Sequence, residues 1–237
     1  MSDIDTTDGT EPTYHDERAF RRLLVNTLVN NVTSTFLWFA LTFWVYLQTR
    51  SVIATGVIGA SFGLVGAVVG PAFGTYVDRH RKHRAMTVAS VTSFAAFAVA
   101  AAIYALVDER SVLDLAQPWF WLLVATTLLG SVAGTARGIA LSTSVTLLVP
   151  PSRRDKANGL VGTISGVALA MTSVFSGLVI GTLGMGWALV ISVVLTAGAL
   201  VHLVAIRFDE PVPDPSTHTG AHVDIRGALD AIHGVPG

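Results

Sequence analysis

The sequence predicts an all-α membrane protein with six transmembrane helices, built as two inverted three-helix repeats with both chain ends in the cytoplasm. Of its 237 residues, 51% are hydrophobic and 13% are charged, and the mean hydropathy is +0.60. A soluble domain has about 25% charged residues. The apolar residues form six runs, and each run can cross a hydrocarbon core of about 30 Å at roughly 1.5 Å per helical residue.

The six predicted spans cover residues 23–47, 53–77, 85–107, 119–148, 159–182 and 187–206. Residues 1–22 are polar and lack the basic segment and short apolar core of a signal peptide, so we expect a cytoplasmic tail. Residues 208–237 are interpreted as a cytoplasmic linker. We expect this linker to be truncated, because it stops at Gly-Val-Pro-Gly without a terminal signature.

The segment between the second and third spans sets the orientation. It carries four bases: Arg79, Arg81, Lys82 and Arg84. Basic residues near membrane ends favour the cytoplasmic side. The acidic segment from Asp108 to Pro118 then belongs outside, and the other spans follow by alternation.

The inner half of the first span is unusually polar. Asn26, Asn30 and Thr33 follow one another at i, i+4 and i+7, so they share one helical face. Because an amide facing lipid is costly, this face should meet protein or water. His202, in the sixth span, is interpreted as a packing or interface residue.

Arg137 is the charged residue that lies well inside a predicted span, and two interpretations of it stay open. It is either a cavity cation that binds an anionic substrate group or tunes a coupling site, or an arginine that extends to the inner headgroups. No Asp or Glu occurs inside the six spans. A carboxylate that carries protons would therefore have to be Asp78 or lie in another part of the protein, unless no proton is carried.

Two spans carry stripes of glycine at steps of three or four residues. The helix-packing candidates are Gly56, Gly59, Gly63, Gly66 and Gly70 in the second span, and Gly162, Gly166 and Gly177 in the fifth, where Ala170 and Ser173 continue the steps between Gly166 and Gly177. Small residues at this spacing let helix backbones approach closely. Because the two spans run in opposite directions, the shared pattern predicts an inverted repeat, as in many secondary transporters.

The basic segment resembles the signature loop of the major facilitator superfamily, G-x-x-x-D-[RK]-x-G-[RK]-[RK]. Gly74, Asp78, Arg79 and Lys82 match it, whereas Arg81 stands where the pattern has Gly. Residues 148–158 (Leu-Val-Pro-Pro-Ser-Arg-Arg-Asp-Lys-Ala-Asn) are similar to a loop of siderophore and macrolide exporters. The fifth span lacks the Pro of the exporters' Gly-Pro-x-x-Gly-Gly element.

The resemblance implies the N-terminal half of a twelve-helix exporter of small amphipathic compounds that works by alternating access. The four matching residues would form a conformational latch, in which Asp78 contacts a helix end of the other half. Asn26, Asn30, Thr33 and Arg137 would line the cleft. The expected partners are a small-molecule substrate, membrane lipid, and a second six-helix half or a second copy, in a multi-pass protein of the cell membrane.

Two other classes of protein were weighed. A non-transporting scaffold fits because six helices alone cannot enclose a cleft between two bundles. An intramembrane enzyme is disfavoured, since Gly162-Thr-Ile-Ser165-Gly has one residue too many for the G-x-S-G of rhomboid proteases, and there is no H-E-x-x-H. The chain has no cysteine, and no cofactor, metal or nucleic acid is expected.

Overall fold

The computed structural model describes residues 17–206. Most of the predicted N-terminal tail and the whole predicted linker lie outside this range. Within it, every regular element is a helix. The helices are α1 (Glu17–Thr49), α2 (Val52–Arg79), α3 (Lys82–Leu106), α4 (Glu109–Leu113), α5 (Pro118–Leu148), α6 (Arg154–Thr182) and α7 (Met185–Ala205), with a 3-10 turn at Pro151–Arg153.

Six of these helices are long and apolar enough to span a membrane: α1, α2, α3, α5, α6 and α7. The predicted all-helical, six-span architecture is therefore confirmed. The inverted relation of the two halves and the cytoplasmic position of the chain ends stay predictions. α1 begins at Glu17, before the start expected at residue 23.

The links between the long helices are short, and residues at the helix ends explain where each helix stops and the next begins. Arg50, at a positive φ of 53°, ends α1, and the Ser51 hydroxyl then caps α2 by accepting from the Ala54 amide at 3.2 Å. Gly184, at a φ of 81°, makes the turn between α6 and α7, a conformation that glycine adopts without strain. Pro118 occupies the first turn of α5, where its missing N–H costs nothing.

The segment expected to be an acidic outer loop contains the short helix α4. The Asp108 carboxylate caps it by accepting a hydrogen bond from the Ser111 amide at 2.9 Å. This bond lowers the pKa of Asp108, because it stabilises the charged carboxylate. Five residues are too few for a periodic pattern, so this helix is not predictable from the sequence.

The helices differ in how deeply they lie in the bundle. The apolar stretches of α1 and α5 are each 56% buried, against 24% for α6 and 11% for α2. α1 contacts α5, α6 and α7 extensively, while α3 packs between α5 and α7. The centre is therefore built around α1 and α5, and α2 and α6 are peripheral.

The buried apolar side chains form two separate clusters. One cluster includes Leu37, Trp44, Phe97, Phe120 and Met185. The other includes Leu23, Met86, Leu141, Val145 and Leu203. Along α1 the second cluster ends at residue 24 and the first begins at residue 36. The α1 segment between these residues therefore belongs to neither apolar cluster.

Candidate functional site

A layer of buried polar side chains lies between the two apolar clusters. We call it the polar layer. Its members are Asn26, Thr27, Asn30, Thr33 and Ser34 on α1, Ser90 and Ser93 on α3, Thr127, Ser131 and Arg137 on α5, Thr172 and Ser176 on α6, and Ser192 and Thr196 on α7. None is more than 4% exposed.

Several hydroxyl groups of the polar layer are satisfied within their own helix. Thr33, Ser90 and Ser192 each donate to the carbonyl four residues earlier, at 2.7, 2.6 and 2.8 Å. Ser93 instead donates across to the Gly130 carbonyl of α5 at 2.8 Å. The single hydroxyl donor of each of these groups is therefore satisfied by a backbone carbonyl.

Other polar atoms of the layer have no hydrogen-bond partner among the described residues. They are the hydroxyls of Thr27, Ser34, Thr127, Ser131 and Thr196, Oδ1 of Asn30, and Nε and Nη1 of Arg137. A buried polar group without a partner costs about 1–3 kcal/mol, and native proteins tolerate few of them. Such a concentration marks the layer as the candidate functional site.

Arg137 is the cation of the polar layer. Its side chain is 0% exposed, and Nη2 donates to Oδ1 of Asn26 across the contact between α5 and α1. The guanidinium therefore points into the bundle and does not extend towards the inner headgroups.

Asn26 connects three helices. Besides accepting from Arg137, it donates through Nδ2 to the Ala199 carbonyl of α7 at 2.7 Å and contacts Nδ1 of His202 at 3.1 Å. Because Nδ2 faces a carbonyl oxygen and Oδ1 faces a guanidinium, the amide orientation is determined by its partners. His202 is exposed on its other side, so this network reaches from the buried cation to the protein surface.

Two glycines let α5 approach its neighbours closely, Gly134 at α1 and Gly130 at α3. A Cβ on Gly134 would collide with the Ser34 hydroxyl, and one on Gly130 would collide with the Phe97 ring of α3. Asn30 Nδ2 lies 3.5 Å from the Gly134 carbonyl oxygen. These glycines were not among the predicted packing residues, although Gly130-Ser-Val-Ala-Gly134 has the same four-residue spacing as the predicted stripes.

The predicted glycine stripes are positioned differently. An added Cβ would meet no atom within 4 Å at Gly56, Gly63, Gly66, Gly70, Gly162 or Gly166. It would lie 3.4 Å from Thr42 Cγ2 at Gly59 and 3.8 Å from Phe43 Cε2 at Gly177. Within the described residues, most glycines of the two stripes therefore have no neighbouring helix packed against them.

The signature loop is a tight link between two helices. α2 extends through Asp78 to Arg79, and Lys82 begins α3, where its Nζ donates to the Val77 carbonyl at 3.1 Å. The side chain of Asp78 is outside what the structure describes. Arg81, which replaces the usual Gly, has a φ of −56° and a ψ of 127°, so its backbone is unstrained and the turn does not need glycine.

The residues predicted to line a cleft are enclosed in this structure. Asn26, Asn30, Thr33 and Arg137 are each at most 1% exposed. A cavity of about 300 Å³ lies elsewhere, at the far end of α1 beside α4, and is lined by Trp44, Tyr104, Val107, Val112 and Leu113. The cleft-lining role of the four residues stays a prediction, because a solute can reach them only if the helices move apart.

Six apolar helices around a buried polar layer define a multi-pass helical membrane protein. The chain belongs to the Major Facilitator Superfamily, a family of transporters, whose family model matches residues 23–233. It is also 27% identical over 178 residues to solute carrier family 67 member A1 of Homo sapiens. That match covers 75% of this chain and 38% of the human protein, so the chain spans less than half of that relative's length.

Proposed function

We propose that this chain forms the first six helices of a secondary transporter that exports small amphipathic compounds from the cell by alternating access. Membership of the Major Facilitator Superfamily supports transport. The exporter assignment rests on the similarity of residues 148–158 to exporter loops. The similarity to a human solute carrier also supports transport of a small molecule.

The polar layer carries the proposal. Its unpaired hydroxyl, amide and guanidinium groups are costly to bury, and a protein that served only as a scaffold would gain nothing from them. A transporter would use them to bind polar groups of its substrate. We therefore assign the substrate contacts to Asn30 and Arg137, which have unpaired atoms, and propose that Asn26 and Thr33 line the cleft beside them, which a solute reaches when the helices move apart.

A second six-helix unit would complete the transporter. α2 and α6 are the least buried spans, and most of their stripe glycines have nothing packed on them within the described residues. Stripes of small residues suit close helix contact in a membrane. We propose that these faces meet the other half of the transporter or a second copy of this chain, and that lipid covers the remaining apolar surface.

The signature loop would latch one conformation of the transporter. Arg79 and Lys82 lie at the two ends of the link, and the hydrogen bond from Lys82 to Val77 closes it. In the proposed mechanism Asp78 contacts a helix N-terminus of the partner unit, because a carboxylate is stabilised there. The contact would break when the two units rock. The excess of bases near this end supports an orientation with both chain ends in the cytoplasm of a cell membrane.

An export assay tests the assignment. The complete reading frame that contains this chain is expressed in cells, and efflux of a fluorescent amphipathic anion such as carboxyfluorescein, whose carboxylates can pair with the Arg137 guanidinium, is measured. We expect Asn30→Leu and Arg137→Ala to reduce efflux at equal amounts in the membrane. The matched control is Asn31→Leu, which changes the neighbouring, half-buried amide of α1 outside the polar layer.

The outcomes separate the two functions under comparison. If both polar-layer variants export like the parent protein, the assigned cleft lining is wrong. If no panel of amphipathic compounds is exported while the protein folds and reaches the membrane, the scaffold function replaces the exporter.

A further inference from the structure

The guanidinium of Arg137 is a buried positive charge with no acidic partner among the side chains that the structure describes. It is 0% exposed, and its Nε and Nη1 atoms have no partner among the described residues. No described acidic side chain pairs with it, and the six predicted spans contain no Asp or Glu. Isolated buried charges are among the most costly features of a protein interior, and they are normally paired.

The neighbour that Arg137 does have cannot neutralise it. Asn26 is an uncharged amide, and both of its ends are occupied by Arg137 on one side and by Ala199 and His202 on the other. This network orients the guanidinium and leaves the charge in place. Nε and Nη1 of Arg137 donate to no group in the part of the chain that the structure describes.

Two further donors of the polar layer lie on α1, the helix that Arg137 contacts. Thr27 follows Asn26 directly in α1, and Ser34 contacts α5 at Gly134, three residues before Arg137 and on the same helical face. Neither hydroxyl has a hydrogen-bond partner among the described residues. A hydroxyl can donate to an anion, so the polar layer offers donors in addition to Arg137 without adding negative charge.

We propose that the polar layer holds one small monovalent anion of the halide class against the free nitrogen atoms of Arg137. A single guanidinium balances a single negative charge, so sulfate and phosphate are disfavoured as ligands. The enclosed position disfavours large organic anions, and a spherical anion accepts hydrogen bonds from donors on different helices. The inference does not rest on the proposed function, because a resident anion would neutralise Arg137 whether or not the chain exports solutes.

Chloride is the probe for the test. The 237-residue chain is purified in detergent, and binding of radiolabelled chloride is measured at equilibrium against gluconate at constant ionic strength. We expect saturable binding of one chloride per chain, displaced by bromide but not by gluconate. The unfolding temperature should rise by about 2–4 °C on replacing gluconate with chloride, because a ligand of the native state stabilises it.

Three variants locate the site. Arg137→Gln should lose chloride binding and the chloride-dependent rise in unfolding temperature. Arg110→Gln is the matched control, since it removes one exposed charge from α4, and it should keep both. Asn26→Asp places a carboxylate beside Arg137, so it should abolish chloride binding while the arginine stays in place, even if Arg137→Gln does not fold.

Absence of saturable chloride binding to the parent chain would overturn the proposal. Unchanged binding in Asn26→Asp, or equal displacement by gluconate, would overturn it as well. These measurements involve no transport, so their outcome is independent of the export assay.

Discussion

Asn26 of α1 accepts a hydrogen bond from the Arg137 guanidinium of α5, across the centre of the six-helix bundle. The same amide holds α7 through the Ala199 carbonyl at 2.7 Å. One side chain thus ties three membrane-spanning helices together at the level where the apolar clusters are interrupted. Its loss should affect the whole bundle.

Replacing Asn26 by Leu should therefore destabilise the chain strongly. Hydrogen bonds to charged groups contribute about 1.5–3 kcal/mol each, and Arg137 would keep its charge with no partner among the described side chains. We expect the free energy of unfolding in detergent to fall by at least that amount. Asn31→Leu is the control, and it should change stability much less; equal losses in the two variants would contradict the role given to Asn26.

A double-mutant cycle measures the pair directly. If Asn26 and Arg137 act together, Asn26→Leu combined with Arg137→Met should cost less than the sum of the single changes, by about 0.5–3 kcal/mol. The measurement is the unfolding free energy of the four proteins under identical conditions. Additive effects would show that the hydrogen bond contributes nothing to stability.

A tightly packed glycine and a glycine with open space beside it should respond in opposite ways to substitution by Ala. Gly134→Ala forces a methyl group into Ser34, and such overpacking costs about 1–3 kcal/mol. Gly66→Ala meets open space, so in the isolated chain it should be neutral or stabilise α2 by up to about 1 kcal/mol. Thermal unfolding of both variants checks this, and greater damage from Gly66→Ala would contradict the packing described.

The orientation of the chain can be read with single cysteines, because the chain has none of its own. Arg110→Cys lies on α4 and Arg81→Cys lies in the link between α2 and α3; both positions are exposed. In intact cells an impermeant maleimide should label only Arg110→Cys, whereas both variants should react after permeabilisation. The reverse pattern would invert the topology.

The cap of α4 should respond to acid. The hydrogen bond from the Ser111 amide lowers the pKa of Asp108 below its ordinary value. The bond therefore stabilises α4 above the pKa of the unfolded chain and is lost as pH falls through the lowered pKa. Hydrogen-exchange protection at Ser111 and Val112 should fall over that range. Asp108→Ala should remove this pH dependence, whereas Asp114→Ala, beyond the end of α4, should retain it.

The number and rough position of the helices could be predicted from the sequence, because long apolar runs have few alternatives to a membrane-spanning helix. The polar face of α1 and the charge of Arg137 were also visible, since both interrupt apolar runs. Helix α4 was missed. The close contacts at Gly130 and Gly134 and the hydrogen bond from Arg137 to Asn26 were missed as well. Those features depend on which helices become neighbours.

Local composition alone thus determined that this chain enters a membrane six times, because hydrophobicity and helix length are properties of single segments. Only the tertiary structure decided that Asn26, Arg137 and His202 meet, and that the conspicuous glycine stripes of α2 and α6 lie at the periphery while Gly130 and Gly134 make the close contacts. Residues at helical spacing show which face of a helix is polar or small, but the helix that packs against this face lies elsewhere in the chain.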